Sequence, residues 1–162
     1  MIIRPITALE IAEANEIYEK AREFMRETGN PHQWNSVYPG VKDIKDGIEK
    51  GTSYVCCDGD EVVATFHFEA NADDPTYRKI YDGEWKNDAP YGVIHRIAVK
   101  YQGRGIVGFC FDECFKICKN LKIDTHKDNI PMQKSLARAG FEYCGIILLE
   151  SGDERMAYQK IK

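Results

Sequence analysis

The sequence lacks the long runs that mark membrane proteins and nucleic-acid-binding proteins. No stretch approaches the roughly 18 consecutive apolar residues of a membrane-spanning helix, and no cluster of lysine and arginine alternates with aromatic residues. The 162 residues carry 22 Lys and Arg against 26 Asp and Glu, a net charge of −4. A mildly acidic chain without a basic patch does not attract a phosphate backbone. We therefore expect neither a nucleic-acid partner nor a membrane partner.

Signals of secretion and of metal binding are also missing. The first twenty residues, MIIRPITALEIAEANEIYEK, have no apolar segment after a basic start, so we expect a cytoplasmic protein. None of the six cysteines forms a C-x-x-C pair, and Cys110, Cys114 and Cys118 repeat every four residues on one helical face. Cysteine often packs as a small buried residue, so this stripe favours a core role over metal or redox chemistry. With four scattered histidines, we expect no metal site.

The length and the apolar periodicity predict one mixed-sheet domain. A chain of this size can bury a core without disulfide bonds and is too short for two ordinary domains. The pattern predicts the order β-α-α-β-β-β-α-β-α-β-β. The predicted strands are 2–6, 53–57, 61–70, 91–99, 122–126, 141–150 and 154–161, and the predicted helices begin at Thr7, near residue 41, after the glycine segment that follows residue 99, and at Asn129.

Two connections stand out because they are polar and aromatic. The first is residues 30–40, and the second, residues 71–90, is about twenty residues long, more than the usual loop of a compact domain. We expect the longer one to be a lid or a wall of a binding site. In or beside these connections lie Trp34, Tyr38, Tyr77 and Tyr91, with several acids nearby. Such residues suit binding of a cation with an apolar body, although surface packing explains them equally well.

The segment YQGRGIVGFC, residues 101–110, has two interpretations. Its glycines at 103, 105 and 108 match the G-x-G-x-x-G spacing of dinucleotide-binding turns, and Asp124 follows Gly103 by 21 residues, where an acid would bind the ribose. However, the preceding predicted strand ends at residue 99, and only about one β-α unit follows before a terminal hairpin. The doubly wound sheet that forms a dinucleotide crevice is therefore not predicted.

The second interpretation takes residues 102–107, QGRGIV, as a loop of backbone N–H groups at the start of a helix. Unpaired amides and the helix dipole favour a pyrophosphate at such a place. Gly103 and Gly105 allow the backbone to approach the anion, and Arg104 adds a positive charge. We favour this interpretation over the dinucleotide turn and over a strand-to-helix turn without a ligand.

Two motifs in this order carry a family resemblance. IHRIAVKYQGRGIVGF contains the apolar strand and a Q-x-x-G-x-x loop, and in DTHKDNIPMQKSLARAGF Asn129 is followed eleven and twelve residues later by Gly140 and Phe141. Together they resemble the GNAT superfamily of acyl-CoA N-acyltransferases over essentially the whole chain. The sequence departs from the family at two positions. Val107 replaces a glycine or alanine, and Leu136 replaces the tyrosine that protonates the departing thiolate in many members.

The resemblance implies a single α/β (α+β) domain, residues 1–162, with a central mixed, mostly antiparallel sheet of six to seven strands flanked by about four helices. It implies transfer of an acetyl group from acetyl-CoA, with coenzyme A as cosubstrate and no metal. The implied coenzyme-binding residues are Ile97, Ala98, Val99, Gln102, Gly103, Arg104, Gly105, Ile106, Val107, Gly108, Asn129 and Met132. Backbone groups at the strand end are expected to hold the pantetheine arm and to stabilise an oxyanion.

An amine acceptor must lose a proton before it attacks, and a group with a pKa near neutral accepts that proton best. We expect His95 to be this base, because the resemblance places a histidine or an acid near the acceptor amine in the central strand. His67 and Glu69 lie on one face of the preceding strand and are candidates to relay the proton. The alternative for His95 is a hydrogen-bonded core residue. A β-bulge in its strand would re-aim the side chain.

Three functions remain open at this stage. The leading one is an N-acetyltransferase acting on the primary amine of a small molecule. A transferase acting on a protein lysine or N-terminus needs an open groove, whereas we expect residues 71–90 to add a wall there. A non-catalytic acyl-CoA-binding sensor is suggested by Leu136, which cannot donate a proton. The apolar final hairpin offers a surface for a homodimer, although nothing in the sequence demands one.

Overall fold

The structure, a computed structural model, describes all residues from 1 to 162 and confirms the predicted order of strands and helices. No helix is long and apolar enough to span a membrane. The strands are β1 (Ile2–Pro5), β2 (Ser53–Asp58), β3 (Glu61–Glu69), β4 (Gly92–Val99), β5 (Asn120–Thr125), β6 (Glu142–Leu148) and β7 (Glu154–Ile161). The α-helices are α1 (Ile11–Glu27), α2 (Val41–Lys50), α3 (Ile106–Ile117) and α4 (Ile130–Arg138), and short 3-10 turns occupy Ala8–Glu10 and Pro75–Tyr77.

One sheet contains all the strands, in the order β1-β2-β3-β4-β5-β7-β6. Neighbouring strands are antiparallel except β4 and β5, which are parallel. The prediction of a mixed, mostly antiparallel sheet flanked by four helices is confirmed. A sheet with a single parallel pair does not form the crevice of a dinucleotide fold, so the dinucleotide interpretation of the glycine segment is wrong.

Helices cover both faces of the sheet. On one face, α1 and α2 pack through a cluster that includes Ile17 and Ile44. On the other face, α3 and α4 pack through a larger cluster that includes Phe111. Cys110 and Cys114 are fully buried in this second cluster, and all cysteines are free thiols. Cys110 and Cys114 therefore pack in the core, as the helical spacing predicted, whereas Cys118 follows the end of α3 and is only partly buried against the same cluster.

Local signals set the ends of the helices. The side chain of Glu10 accepts hydrogen bonds from the backbone and the hydroxyl of Thr7, at 2.9 and 3.1 Å. This arrangement closes a 3-10 turn before α1 begins. Asn129 caps α4, because its side-chain oxygen accepts a bond from the first turn of that helix. α3 ends at Ile117, because Asn120 already belongs to β5.

Strands β4 and β5 separate soon after they pair. Only Gly92 and Val93, the first two residues of β4, are in register with β5. From there β4 continues to Val99 with β3 as its only neighbour, so its other edge carries unpaired backbone groups. The middle of the sheet is thus split, and the split is where the candidate site lies.

A β-bulge interrupts β4 at Arg96. His95 lies opposite His67, and Ala98 lies opposite Thr65, so two residues of β4 face a single residue of β3. Arg96 has a φ of 53°, in the left-handed region that non-glycine residues rarely adopt. The bulge considered for this strand is present. It shifts the alternation of side chains along the half of β4 that borders the split.

The long connection between β3 and β4 is a fixed wall. Tyr81 and Ile146 exchange two backbone hydrogen bonds of 2.8 Å, so the connection crosses the sheet to the outer edge of β6. The fully buried side chain of Gln159 anchors it. Its Oε1 accepts from the backbone N of Lys86 at 2.8 Å, and its Nε2 donates to Asn87 Oδ1 at 3.2 Å. Of the two roles expected for this segment, the anchoring favours a wall over a lid.

Candidate active site

The glycine segment forms a cradle at the N-terminus of α3. Gly103 and Gly105 have φ values of +72° and +74°, which other residues avoid. A Cβ atom added at Gly103, Gly105 or Gly108 would meet nothing within 4 Å, so the backbone there borders open space. The cradle lines a cavity of about 520 Å³, whose charged residues are Arg104, Lys134, Arg138 and Asp112. Free amides at a helix start and three cations against one acid fit a pyrophosphate.

The residues implied for coenzyme binding divide between two cavities. All of residues 102–108 and Val99 line the cradle cavity. Ile97, Asn129 and Met132 line a second cavity, in the split between β4 and β5. Ala98 lines neither, because its side chain is 4% exposed and packs against the α1 side of the sheet. Only the backbone of Ala98 is therefore able to face a ligand.

The second cavity, the split cavity, has a volume of about 290 Å³ and draws residues from both faces of the sheet. Ile123 and Met132 belong to the face covered by α3 and α4. His95 and Asp74 belong to the other face, beside the wall and the connection between α1 and α2. Because the strands have separated, two ligands bound on opposite faces of the sheet can meet in this opening.

His95 lies between two carboxylates in the split cavity. Its Nε2 is 2.8 Å from Asp74 Oδ2, and its Nδ1 is 3.9 Å from Asp124 Oδ2. An ionised carboxylate only accepts hydrogen bonds, so Asp74 assigns the ring proton to Nε2. The lone pair of Nδ1 then faces the Asp124 side of the cavity. A base oriented by an acid is the arrangement that proton abstraction requires.

Asp74 is held in its ionised form. Burial alone would raise its pKa, but hydrogen bonds from His95 and Thr76 outweigh burial and lower the pKa to about 2. The backbone N and Oγ1 of Thr76 donate to Asp74 Oδ1 at 3.0 and 2.8 Å. Asp74 therefore stays negative at any ordinary pH and keeps the imidazole ring in place.

Tyr77 and Tyr91 lie behind the site and not in it, in contrast to their predicted contact with the acceptor. The hydroxyl of Tyr77 donates to Asp124 Oδ2 at 2.6 Å. Burial, followed by the charge of Asp124, raises the pKa of this phenol well above its usual value, so it remains a donor. The hydroxyl of Tyr91 accepts from the backbone N of Asp74 at 3.0 Å. Both residues support the two acids and do not line the split cavity.

Trp34 and Tyr38, the other two aromatic residues predicted to contact the acceptor, line the split cavity. Trp34 packs edge-on against Tyr18 with ring centroids 5.9 Å apart. The hydroxyl of Tyr38 accepts from Arg96 Nη1 at 3.5 Å. They form the side of the cavity that faces His95 from the connection between α1 and α2. Their contact with an acceptor stays a prediction.

His67 and Glu69 do not line the split cavity. The ring of His67 is 5.7 Å from that of His95, and its Nδ1 accepts from Arg96 Nη2 at 3.1 Å. Burial, followed by the positive charge of Arg96, lowers the pKa of His67 to about 3. It is therefore neutral and a poor proton acceptor. The side chain of Glu69 is 51% exposed, so a relay through these residues has to pass through water.

Sequence reasoning gave no acceptor-site role to several polar residues of the split cavity, among them Asp124, Thr125 and Arg155. Asp124 was considered only as a ribose-binding acid, and Thr125 and Arg155 were not singled out. Thr125 Oγ1 is buried without a hydrogen-bond partner, and Arg155 is 7% exposed. A charged residue inside a central strand is the signal that points to such positions. No group of three or more histidine, cysteine or acidic side chains is placed to hold a metal ion.

Comparison with known proteins gives structural relatives. No family model and no curated protein matches the sequence. An acetyltransferase of the GNAT family from Streptococcus agalactiae is 31% identical, and the match covers 99% of this chain and 95% of that chain with a TM-score of 0.90. A ribosomal-protein-alanine N-acetyltransferase from Brucella melitensis is 17% identical, with 100% of both chains covered and a TM-score of 0.67.

A third relative carries ligands. An aminoglycoside acetyltransferase in complex with coenzyme A and kanamycin is 16% identical, with 99% of this chain and 94% of that chain covered and a TM-score of 0.66. At this identity the likeness shows the fold alone. The match to the streptococcal protein is close enough in sequence and coverage to show more. The chain belongs to the GNAT family of acetyltransferases.

Proposed function

We propose that this protein transfers an acetyl group from acetyl-CoA to the primary amine of a small molecule. The observation that carries the proposal is the position of the oriented pair His95 and Asp74. It lies in a cavity that passes through the sheet, next to a cradle that fits a pyrophosphate. The acyl transfer reaction of the family needs a donor site and a base on opposite sides of one opening.

The residues present fit coenzyme A. The cradle residues 102–108 would hold its pyrophosphate, and Lys134 and Arg138 add charge at the same cavity. The unpaired edge of β4 from Ile94 to Val99 would accept the pantetheine arm as an added strand. The coenzyme supplies a thioester carbonyl as the acyl donor. Backbone N–H groups on the same strand edge are suited to stabilise an oxyanion on that carbonyl.

His95 and Asp124 would act on the acceptor. An amine enters as an ammonium ion, which has no lone pair. Asp124 Oδ2 and His95 Nδ1 lie 3.9 Å apart and bracket a position where an ammonium can donate to both. His95 then removes one proton, and Asp74 stabilises the imidazolium that results. The neutral amine attacks the thioester carbonyl, the C–N bond forms as the C–S bond breaks, and the second proton that the nitrogen loses is released to water. Tyr77, through its bond to Asp124, keeps that carboxylate in position.

The departing thiolate has no tyrosine to protonate it. Leu136 is fully buried in the core between α4 and the sheet and offers no donor. Thr125 lines the split cavity with a hydroxyl that has no partner. A hydroxyl is able to donate a hydrogen bond to sulfur, and the proton taken up by His95 can return through water. The loss of the tyrosine is therefore compatible with turnover.

The cavity favours a small acceptor over a protein. Relatives with this fold act on a ribosomal protein or bind kanamycin, so the fold does not choose the acceptor. The split cavity measures about 290 Å³, at the small end of ligand cavities, which begin near ~300 Å³. The wall closes it on the side of Asp74 and Thr76. An aminoglycoside or a peptide segment exceeds this space, whereas a molecule of amino-acid size fits.

Thermal unfolding tests the donor site, and thioester consumption tests the reaction. A ligand that binds only the native state raises the unfolding midpoint, so acetyl-CoA and coenzyme A are expected to raise it and NAD is not. With an active amine, His95→Gln is expected to lower kcat by about 10²- to 10⁴-fold and Asp74→Asn to lower it as well, with coenzyme affinity unchanged. His32→Gln, outside the split cavity, is the matched control. A midpoint shift without turnover of any amine would favour the sensor.

A further inference from the structure

Two arginines line the split cavity without a carboxylate partner. Arg96 comes from the bulge in β4, and Arg155 comes from β7. No ion pair of the structure includes either guanidinium. Arginine cannot give up its proton in a protein, so both carry a full positive charge. A buried cation without a counter-ion is costly, which makes the cavity suited to an anion.

The two arginines differ in what their donors already bind. Arg96 donates to the hydroxyl of Tyr38 and to Nδ1 of His67. Arg155 is 7% exposed and donates only to two backbone carbonyls, those of Gln33 at 3.2 Å and Glu154 at 2.9 Å. A guanidinium has five N–H donors, so both arginines keep unused donors, but only Arg155 has no side-chain partner. Arg155 is the stronger candidate to bind an anion.

The anion is not a phosphate of the coenzyme. The cradle and its basic residues line a separate cavity, beyond Val99 at the other end of the split. In the split cavity the two arginines balance the two acids Asp74 and Asp124. Charges of both signs in one small cavity suit a ligand that also carries both signs. Each guanidinium makes two hydrogen bonds, so the choice between the two arginines rests also on position: Arg155 lies on β7, beside the strand that carries Asp124.

The distance between the two charged ends also suits one small molecule. Asp124 pairs with Ala157 across β5 and β7, and Arg155 lies two residues before Ala157 on the same face of the sheet. Diagonal neighbours of this kind are about 7–8 Å apart. An ammonium at His95 and Asp124 and a carboxylate at the longer side chain of Arg155 can therefore belong to the same amino acid.

We propose that the acceptor is an amino-acid-like amine, whose carboxylate binds Arg155 while its amine lies at His95 and Asp124. This inference rests on the proposed function for the role of the amine. It makes Arg155 a determinant of acceptor specificity, a role separate from proton removal at His95. Leu149, Met25 and Trp34 also line the cavity and would border the side chain of the acceptor.

The test compares matched acceptors that differ only in the carboxylate. Each amino acid of a panel is assayed beside its amide and its phosphonate analogue, and kcat/KM is measured for each. We expect the wild-type protein to prefer the carboxylate over the amide by about 10- to 100-fold, as for a lost charge-assisted hydrogen bond. Arg155→Met should remove that preference and change the amide rates little. Arg22→Met, which removes a buried arginine outside the cavity, should keep the preference.

Several outcomes would overturn the proposal. Equal rates for acids and amides would do so, as would a preference for the phosphonate or an equal loss on both acceptors in Arg155→Met. If Arg155→Met does not fold, Arg155→Lys is used instead. It keeps the positive charge but loses the paired N–H donors of the guanidinium, so it must still lower the preference for the carboxylate over the amide.

A binding assay separates this inference from the proposed function. It measures the unfolding midpoint of the coenzyme A-saturated protein with N-acetyl amino acids and with N-acetyl amino amides. Without any turnover the proposed function fails, whereas an Arg155-dependent shift caused only by the acids still supports a carboxylate site. If neither the preference in turnover nor the midpoint shift is seen, the carboxylate site at Arg155 is refuted.

Discussion

The cradle can be tested with glycines that share a backbone conformation and differ in location. Gly105 has a φ of +74° in the cradle, and Gly59 has a φ of +61° in the turn between β2 and β3. An added Cβ meets nothing within 4 Å at either position. Alanine at either position therefore costs about the same conformational strain, ~1–2 kcal/mol. A β-branched residue would be strained further, so alanine isolates the effect on the ligand.

The two variants should differ only in coenzyme binding. At Gly105 the new methyl group enters the space where the backbone is expected to approach a pyrophosphate. Loss of one charge-assisted hydrogen bond there weakens binding by about 1.5–3 kcal/mol, which is roughly 10- to 100-fold in Kd. At Gly59 the same substitution lies outside the cradle cavity. We expect similar unfolding midpoints for the two variants and a weaker Kd for Gly105→Ala alone.

Gly108 provides the converse experiment. It lies in the first turn of α3, has no positive φ and borders open space. Gly108→Ala should therefore stabilise the helix by about 0.5–1 kcal/mol while it narrows the cradle. Calorimetry with coenzyme A and thermal unfolding are measured on all three variants. If Gly105→Ala binds coenzyme A as tightly as Gly59→Ala does, the pyrophosphate does not lie in this cradle.

Two further predictions concern the split cavity and its surroundings. Thr125→Val removes a buried hydroxyl that has no hydrogen-bond partner. Denaturant unfolding should therefore show an unchanged or higher free energy of unfolding. The proposed contact of this hydroxyl with the thioester predicts a lower kcat for the same variant. A lower stability would reveal a partner that the structure does not show. In the folded protein the pKa of His67 is lowered from 6.5 to about 3. Between these two pH values the unfolded chain binds a proton that the folded protein does not bind. The free energy of unfolding therefore falls as the pH drops, by up to ~1.4 kcal/mol per pH unit. His67→Gln should flatten this slope between about pH 6 and pH 4, and an unchanged slope would place the titrating group elsewhere.

Sequence-local features were predictable, because each depends on neighbours along the chain. The cradle follows from glycines at the end of a strand and the start of a helix, and the cap at Asn129 follows from the residues after it. Apolar residues on both faces of the predicted strand 91–99 placed His95 in a central strand. The family motifs span the same short segments. Physical rules for turns, caps and helix dipoles act over a few residues, so the sequence shows them directly.

The acceptor side was not predictable in the same way, because long-range pairing builds it. Asp74 reaches His95 from a separate part of the chain, because Tyr91 holds its backbone N and Gln159 anchors a later part of the wall. Asp124 and Arg155 share a face only through the register of β5 with β7. Tyr77 was expected to face the acceptor, but the 3-10 turn that places Asp74 in the cavity buries the phenol behind it. An aromatic residue in a connection does not reveal which way it packs.

Gln33 joins the donor side of the split to the acceptor side. Its Oε1 accepts from Asn129 Nδ2 and from Asn30 Nδ2, each at 2.8 Å, and its backbone oxygen accepts from Arg155 Nη2 at 3.2 Å. Asn129 also caps α4, whose later residues line the cradle cavity. The segment that follows Gln33 carries Trp34 into the split cavity. We therefore expect order that the coenzyme imposes on α4 to be transmitted to the connection that carries Trp34.

Gln33→Leu tests this link, since it keeps the size of the side chain and removes the accepting oxygen. Coenzyme A is expected to increase the affinity for the acceptor, and Gln33→Leu should lose part of that increase. Coupling between two sites is reciprocal, so the variant should lose an equal part of the increase in coenzyme A affinity that the acceptor causes. Gln133→Leu is the control, because its side chain binds only backbone oxygens near His126. Calorimetry of each ligand with and without the other measures both effects. Coupling that survives in Gln33→Leu would mean that the two sides communicate through β4 or through α4 directly, because residues of both elements border both cavities.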